Sequence, residues 1–301
     1  LHDALPILVM FITAKDGTRL YVEESGEGNP ILFVHEFGGN HQSWEPQMRF
    51  FARRYRCITY AARGYPPSEV PGSVDAYSQS IAVDDALSVL DALKVQTAHV
   101  VGLSMGGFTA VHMGLRAPDR TSSLTVAGAG YGCEKEFEGY FRKVSLEVAL
   151  NFEKRGAREF SEIYALGASR VQFQNKDPRG WQEFADRLAE HSDLGASMTM
   201  RGVQARRPSF YDLEPELRQM RVPTLVIVGD EDDHCLQPGI FLKKVIPSCG
   251  LAVLPKTGHT LNLEEPQYFN SFLSEFLAQV QAKMWKPRDP RAVSEQIMRT
   301  Q

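Results

Sequence analysis

A glycine on each side of one serine, set between a strand and a helix, constrains this chain more than any other feature. Ala98 to Val101 is a short apolar run that reads as a buried strand, and it leads straight into Gly102-Leu103-Ser104-Met105-Gly106. Beyond it, Phe108, Val111, His112 and Leu115 fall at helical spacing. The connecting turn must therefore be tight. Gly102 and Gly106 lack Cβ atoms, so the backbone can close around Ser104 and hold it in a strained conformation. Its Oγ then stands at the mouth of a sheet, and the helix N-terminus behind it favours developing negative charge. G-x-S-x-G in a strand–turn–helix setting is a nucleophile pattern. Without that setting the same residues would be a glycine-rich turn with an idle serine.

The surrounding chain supplies the sheet this serine needs. Phe11–Thr13, Asp16-Gly17 and Arg19–Glu24 read as a β-hairpin. Ile31–Val34 is a fully apolar strand of the kind found in a sheet covered on both faces, and it ends in His35-Glu36-Phe37-Gly38-Gly39. A helix carrying Trp44, Met48, Phe51 and Ala52 follows, then a strand over Arg56–Tyr60. Residues 78–94 form a helix that Ser78 or Ser80 can cap, and Ser123–Ala127 is a further strand. Strands alternating with helices predict a mostly parallel α/β sheet.

From about Glu134 to Arg218 no apolar strand is readable. Helical patterns cover residues 137–154, 158–166, 181–190 and 195–206. The α/β rhythm resumes with a strand at Thr224–Val228, a helix at 240–245, a strand at Leu251–Leu254 and a final helix from Glu264 to about Lys283. The expected organisation is a core of residues 10–133 and 219–283, an all-helical cap over 134–218 lying above the serine, and a surface tail over 284–301. Residues 1–9 lack the features of a signal peptide and are expected to be a leader outside the working fold, with Met10 opening the first strand.

The chain has 301 residues, a net charge of −4 and no basic stripe, which argues against a nucleic-acid partner. No apolar run reaches the ~20 residues of a membrane span. The four cysteines (Cys57, Cys133, Cys235 and Cys249) form no C-x-x-C pair. Reduced thiols and a cytoplasmic location are expected, with a Cys235–Cys249 bridge as the alternative.

A serine hydroxyl needs a base, and the base an orienting acid, in the chain order serine, acid, histidine. Asp232 is the favoured acid of the run Asp230-Glu231-Asp232-Asp233, because it lies three residues past the strand-ending Gly229; Asp233 and then Asp230 follow. His259, after the last strand and preceded by Gly258, is the candidate base. His99 and His112 lie in a strand and a helix, His191 in the helical insertion and His2 in the leader. Oxyanion donors are expected from the backbone N–H groups of Met105 and Phe37. His234 brings no second ligand at a useful spacing, so no metal site is expected.

Taken together, His35-x-Phe37-Gly38-Gly39, Arg63-Gly64, Gly102-x-Ser104-x-Gly106-Gly107, Gly229-x-x-Asp232 and Gly258-His259 resemble the α/β-hydrolase fold superfamily over about residues 10–283. The likeness is to its capped branch with a serine nucleophile, which holds carboxylesterases, lactonases, cofactor-free haloperoxidases and carbon–carbon bond hydrolases. Two departures stand out. Glu36 occupies the glycine of the usual His-Gly pair, and Ala61-Ala62 replaces the aspartate before Arg63-Gly64, which leaves the bracing of that loop open.

The resemblance implies cleavage of a small to medium ester or lactone through an acyl-enzyme, without cofactor. Carbon–carbon bond hydrolysis of a diketone-like acid is the alternative reaction, with Arg170, Arg187 or Arg201 as unranked partners for the acid. A non-catalytic small-molecule binding protein is the alternative class. Aromatic residues of the insertion (Phe137, Tyr140, Phe141, Tyr164, Phe173, Trp181, Phe184) and Met198 are candidate pocket walls, two or three of them in reach of substrate.

Overall fold

A computed structural model describes residues 7–292. Eight strands form one sheet: β1 (Leu8–Thr13), β2 (Arg19–Ser25), β3 (Pro30–Val34), β4 (Arg56–Tyr60), β5 (Ala98–Leu103), β6 (Thr121–Ala127), β7 (Thr224–Gly229) and β8 (Cys249–Leu254). Their spatial order is β1-β2-β4-β3-β5-β6-β7-β8. The β1–β2 and β2–β4 pairs are antiparallel, and all the others are parallel.

Alternation along each central strand divides the core into two layers. Leu32, Val34, Val100, Val126 and Val228 point to one face, which is covered by helices α2 (Gln79–Ala92) and α3 (Met105–Arg116). Ile31, Phe33, Val101, Leu103 and Ile227 point to the other, beneath α1 (Glu45–Phe51) and the helix Pro266–Gln281. Apolar residues at both parities explain why these strands lack an apolar–polar alternation.

The first strand begins earlier than the sequence suggests. Leu8 and Val9 pair with Glu24 and Glu23, so they belong to the sheet rather than to a leader. They sit on an edge strand with Leu8 51% and Val9 55% exposed, so no buried face marked them as strand. The remaining leader residues before Ile7, and the tail beyond residue 292, lie outside the described residues. The start of the tail is anchored: the Trp285 indole N–H donates to Ser248 O at 2.7 Å and its ring packs on Phe276.

Between β6 and β7 the described chain is helical. The two expected helices over 137–154 and 158–166 are halves of α4 (Lys135–Tyr164), broken at Gly156, whose φ of 77° is open to glycine and not to a helix interior. Shorter helices follow at Val171–Lys176, Pro178–Ala189 and Asp193–Thr199. Phe152, Phe160 and Met200 of this segment share one buried cluster with Phe37, Tyr65 and Met105. Each such side chain contributes roughly 1.5–3 kcal/mol on burial, so the helical segment is a packed continuation of the core. All four cysteines are buried and unpaired, so the Cys235–Cys249 bridge is not formed.

Candidate active site

Ser104 sits between β5 and α3 at φ 53° and ψ −112°, a conformation that costs of order 1–3 kcal/mol for a residue other than glycine. Its neighbours show why the turn demands glycine. A Cβ on Gly102 would lie 2.0 Å from Gly106 O, and one on Gly106 would lie 2.0 Å from Val34 O. The Ser104 N–H is tied to Ala127 O at 2.8 Å, fixing the turn to β6.

Asp232 follows β7 and is buried, and its Oδ2 accepts from His259 Nδ1 at 2.7 Å. Among the described residues Asp232 Oδ1 has no hydrogen-bond partner. The carboxylate therefore depends on the imidazole for compensation, and it fixes the tautomer that leaves Nε2 free to accept a proton. Asp233 is exposed at the start of the helix Asp233–Val245, and Asp230 Oδ1 caps the Thr257 N–H at 3.2 Å.

Ser104 and His259 line the same cavity of about 700 Å³, within the range of small-molecule sites. No hydrogen bond joins them in this conformation; such bonds commonly form only once substrate is present. Glu36 and Phe37 line the cavity as well. Met105 is the first residue of α3, so its N–H has no acceptor within the helix. Four of the eight candidate walls reach the cavity: Phe137, Tyr140, Phe141 and Tyr164. Phe173, Trp181 and Phe184 instead pack together inside the helical segment, and Met198 packs in the cluster around Phe152.

Glu36 is held in a buried ion pair. Arg170 Nη1 donates to its Oε1 at 3.1 Å and Nη2 to Oε2, while Nη1 also reaches Thr260 Oγ1, beside His259. Ser169 O accepts the His259 N–H at 3.0 Å. Residues 168–170, which showed no pattern in the sequence, thus tie the Glu36-Phe37 loop to the His259 loop. Changing Arg170 to alanine leaves Glu36 buried and uncompensated, an expected loss of about 3–5 kcal/mol. Denaturant unfolding of the variant checks this, and adding Glu36→Met should return a large part of the loss. A loss below 1 kcal/mol would contradict the role given to the pair.

The loop after β4 is braced without the missing aspartate. Arg63 binds Asp85 through two bonds of 2.7 and 2.6 Å and reaches Asp16 at 2.8 Å. His35 Nε2 accepts the Ala62 N–H at 3.1 Å while Nδ1 donates to Glu36 O at 2.7 Å, a neutral tautomer favoured by burial, which pulls its pKa down to about 4.

One group among the described residues has metal-ligand chemistry: Asp232, Cys235 and His259, with ligand atoms within 4.8 Å of one another. Burial and the nearby Asp232 push the Cys235 thiol well above its usual pKa, and it donates to Gly128 O at 3.2 Å. With Nδ1 engaged by Asp232, these atoms form a hydrogen-bonded cluster, whereas a metal would require the thiolate.

Of the three arginines considered for an acidic substrate, Arg170 reaches the cavity but is taken up by Glu36. Arg201 pairs with Glu153, and Arg187 extends to Gln42 O at 3.4 Å. The cavity does contain an arginine the sequence reading missed, Arg207. No periodicity or motif singled it out.

The model of the alpha/beta hydrolase fold family matches residues 29–266, and the chain belongs to that family. It is 28% identical over 278 residues to 3-oxoadipate enol-lactonase 1 of Acinetobacter baylyi, covering 90% of this chain and 98% of that one. It is also 28% identical to the 2-hydroxymuconate semialdehyde hydrolase of a Pseudomonas species, covering 88% of this chain and 93% of the relative. The crystal structure of the enol-lactonase from Burkholderia xenovorans LB400 superposes with a TM-score of 0.80 at 23% identity, covering 89% of this chain and all of the other. These relatives support hydrolysis as the broad class of activity. No helix among the described residues is long and apolar enough to cross a membrane.

Proposed function

We propose that the chain is a serine hydrolase that cleaves a small to medium carboxylic ester or lactone through an acyl-enzyme. The observation that carries this reading is the strained Ser104 lining one cavity with His259, whose far nitrogen is held by the buried Asp232. His259 Nε2 takes the Ser104 proton as Oγ attacks the carbonyl carbon. The Phe37 and Met105 N–H groups receive the oxyanion, and Asp232 stabilises the imidazolium. His259 then protonates the leaving alcohol, which in a lactone stays attached to the acyl group. Water, activated by the same imidazole, releases the acid. Neither metal nor organic cofactor takes part in any of these steps.

Residues 8–133 and 219–283 act as the catalytic core and 134–218 as the cap that supplies most of the aromatic wall. Four buried, unpaired thiols support a reducing, cytoplasmic setting. The named activity of the Pseudomonas relative favours carbon–carbon bond hydrolysis as the second reading. Parallel assays with p-nitrophenyl esters, simple lactones and a ring-fission diketone test the choice. Turnover of esters or lactones at least tenfold above the diketone in kcat/KM is the expected result; the reverse order would replace the first reading with the second.

A further inference from the structure

The charges lining the cavity are not all balanced. Glu36 and Arg170 satisfy each other, and the two other carboxylates on the lining, Glu231 and Asp233, are exposed to solvent, with Glu231 bonded to the neutral Gln172 amide. Arg207 has no carboxylate partner among the described residues. Its guanidinium carbon lies 3.7 Å from the Phe108 ring centroid and 4.9 Å from that of Phe141. Nη2 donates to Tyr131 O at 2.9 Å and Nη1 to Gln204 Oε1. Those two bonds leave the other N–H groups of the five-donor fork unused.

This placement holds the guanidinium rigidly on the wall of the cavity that Ser104 also lines. Two aromatic faces and two hydrogen bonds fix its orientation. Phe108 lies one helical turn beyond Ser104, its N–H bonded to Ser104 O at 3.1 Å. Burial pulls the Arg207 pKa down to about 10, so the group stays charged at neutral pH but is poorly compensated. An anion entering the cavity meets a pre-oriented, partly dehydrated cation, the setting in which a carboxylate is bound most strongly.

We propose that Arg207 is a specificity residue that receives a carboxylate carried by the ester or lactone substrate. The inference rests on the serine-hydrolase reading and adds a substrate class to it. Arg170 does not fill this role, because its fork is occupied by Glu36.

Two matched probe pairs test it, each comparing a carboxylated ester with a neutral one. The p-nitrophenyl monoester of glutaric acid against p-nitrophenyl valerate reads the acyl side. 3-Carboxyphenyl butyrate against phenyl butyrate reads the alcohol side. The wild-type protein should favour the carboxylated member of at least one pair by tenfold or more in kcat/KM. Arg207→Met should lower that ratio at least tenfold, and Arg207→Lys should give an intermediate ratio, since it keeps the charge but loses the fork. Wild-type inhibition provides a check independent of folding of the variants: glutarate should compete with a neutral ester at least tenfold more tightly than glutaramide does. Equal inhibition by the two, no carboxylate preference in either pair, or a preference that survives Arg207→Met would each overturn the proposal. If neutral esters are hydrolysed in a Ser104-dependent manner without any carboxylate advantage, the anion site alone fails. If Ser104→Ala still hydrolyses both pairs, the serine-hydrolase reading fails and the anion site with it.

Discussion

With Ser104 changed to alanine, turnover of a p-nitrophenyl ester falls by a factor of about 10³–10⁶. The expected loss is large because in the proposed mechanism the hydroxyl is the atom that forms the acyl bond, and nothing nearby replaces it. Cys235 is the nearest thiol to the base, with Sγ 3.9 Å from His259 Nδ1, but it is buried and held protonated. The variant keeps the strained backbone, since alanine at φ 53° is no more comfortable than serine. Its melting temperature should therefore stay within a few degrees of wild type, which separates lost chemistry from lost folding. Near-wild-type turnover in the folded variant would end the proposal.

Asp232→Asn should cost roughly 10⁴ in kcat, as expected when an orienting carboxylate is made neutral. The carboxamide fills nearly the same volume. Its NH₂ group, however, can turn toward His259 and favour the tautomer with the proton on Nε2, which cannot accept from Ser104. It also removes the negative charge that stabilises the imidazolium. Asp233→Asn is the control: that side chain is exposed at a helix start, and its effect should stay within about threefold. Steady-state kinetics on the two purified variants decide the matter. If Asp233→Asn is the crippled one, the acid has been assigned to the wrong residue.

The parts of this molecule that were readable from sequence are those whose chemistry is local. Gly102, Ser104 and Gly106 declare a strained turn because only glycine avoids collision with Gly106 O and Val34 O. β3 and β5 were readable because strands buried on both faces are apolar at both parities. Asp232 could be favoured over its neighbours from the length of the turn after β7. Other features depend on contacts between distant segments. β1 starts at Leu8, but an exposed edge leaves no alternating pattern to read. Residues 168–170 gain their role by touching Glu36, Thr260 and His259, more than 80 positions away in sequence. Arg207 looks like any charged residue near a proline until the helical segment folds and sets it against Phe108 and Phe141.

The Glu36–Arg170 pair shows how a departure from a family pattern can be absorbed. A carboxylate beside the candidate oxyanion loop would oppose developing negative charge if left free. Arg170 neutralises it and in the same stroke fixes the segment that holds the His259 N–H. The substitution at 36 and Arg170 therefore read as one device rather than as two independent changes.

Labelling with a fluorophosphonate probe, followed by peptide mass mapping, tests the central claim most directly. One phosphonyl group on Ser104, lost in both Ser104→Ala and His259→Ala, is the predicted result. An unlabelled Ser104 in protein that still hydrolyses esters would contradict the account.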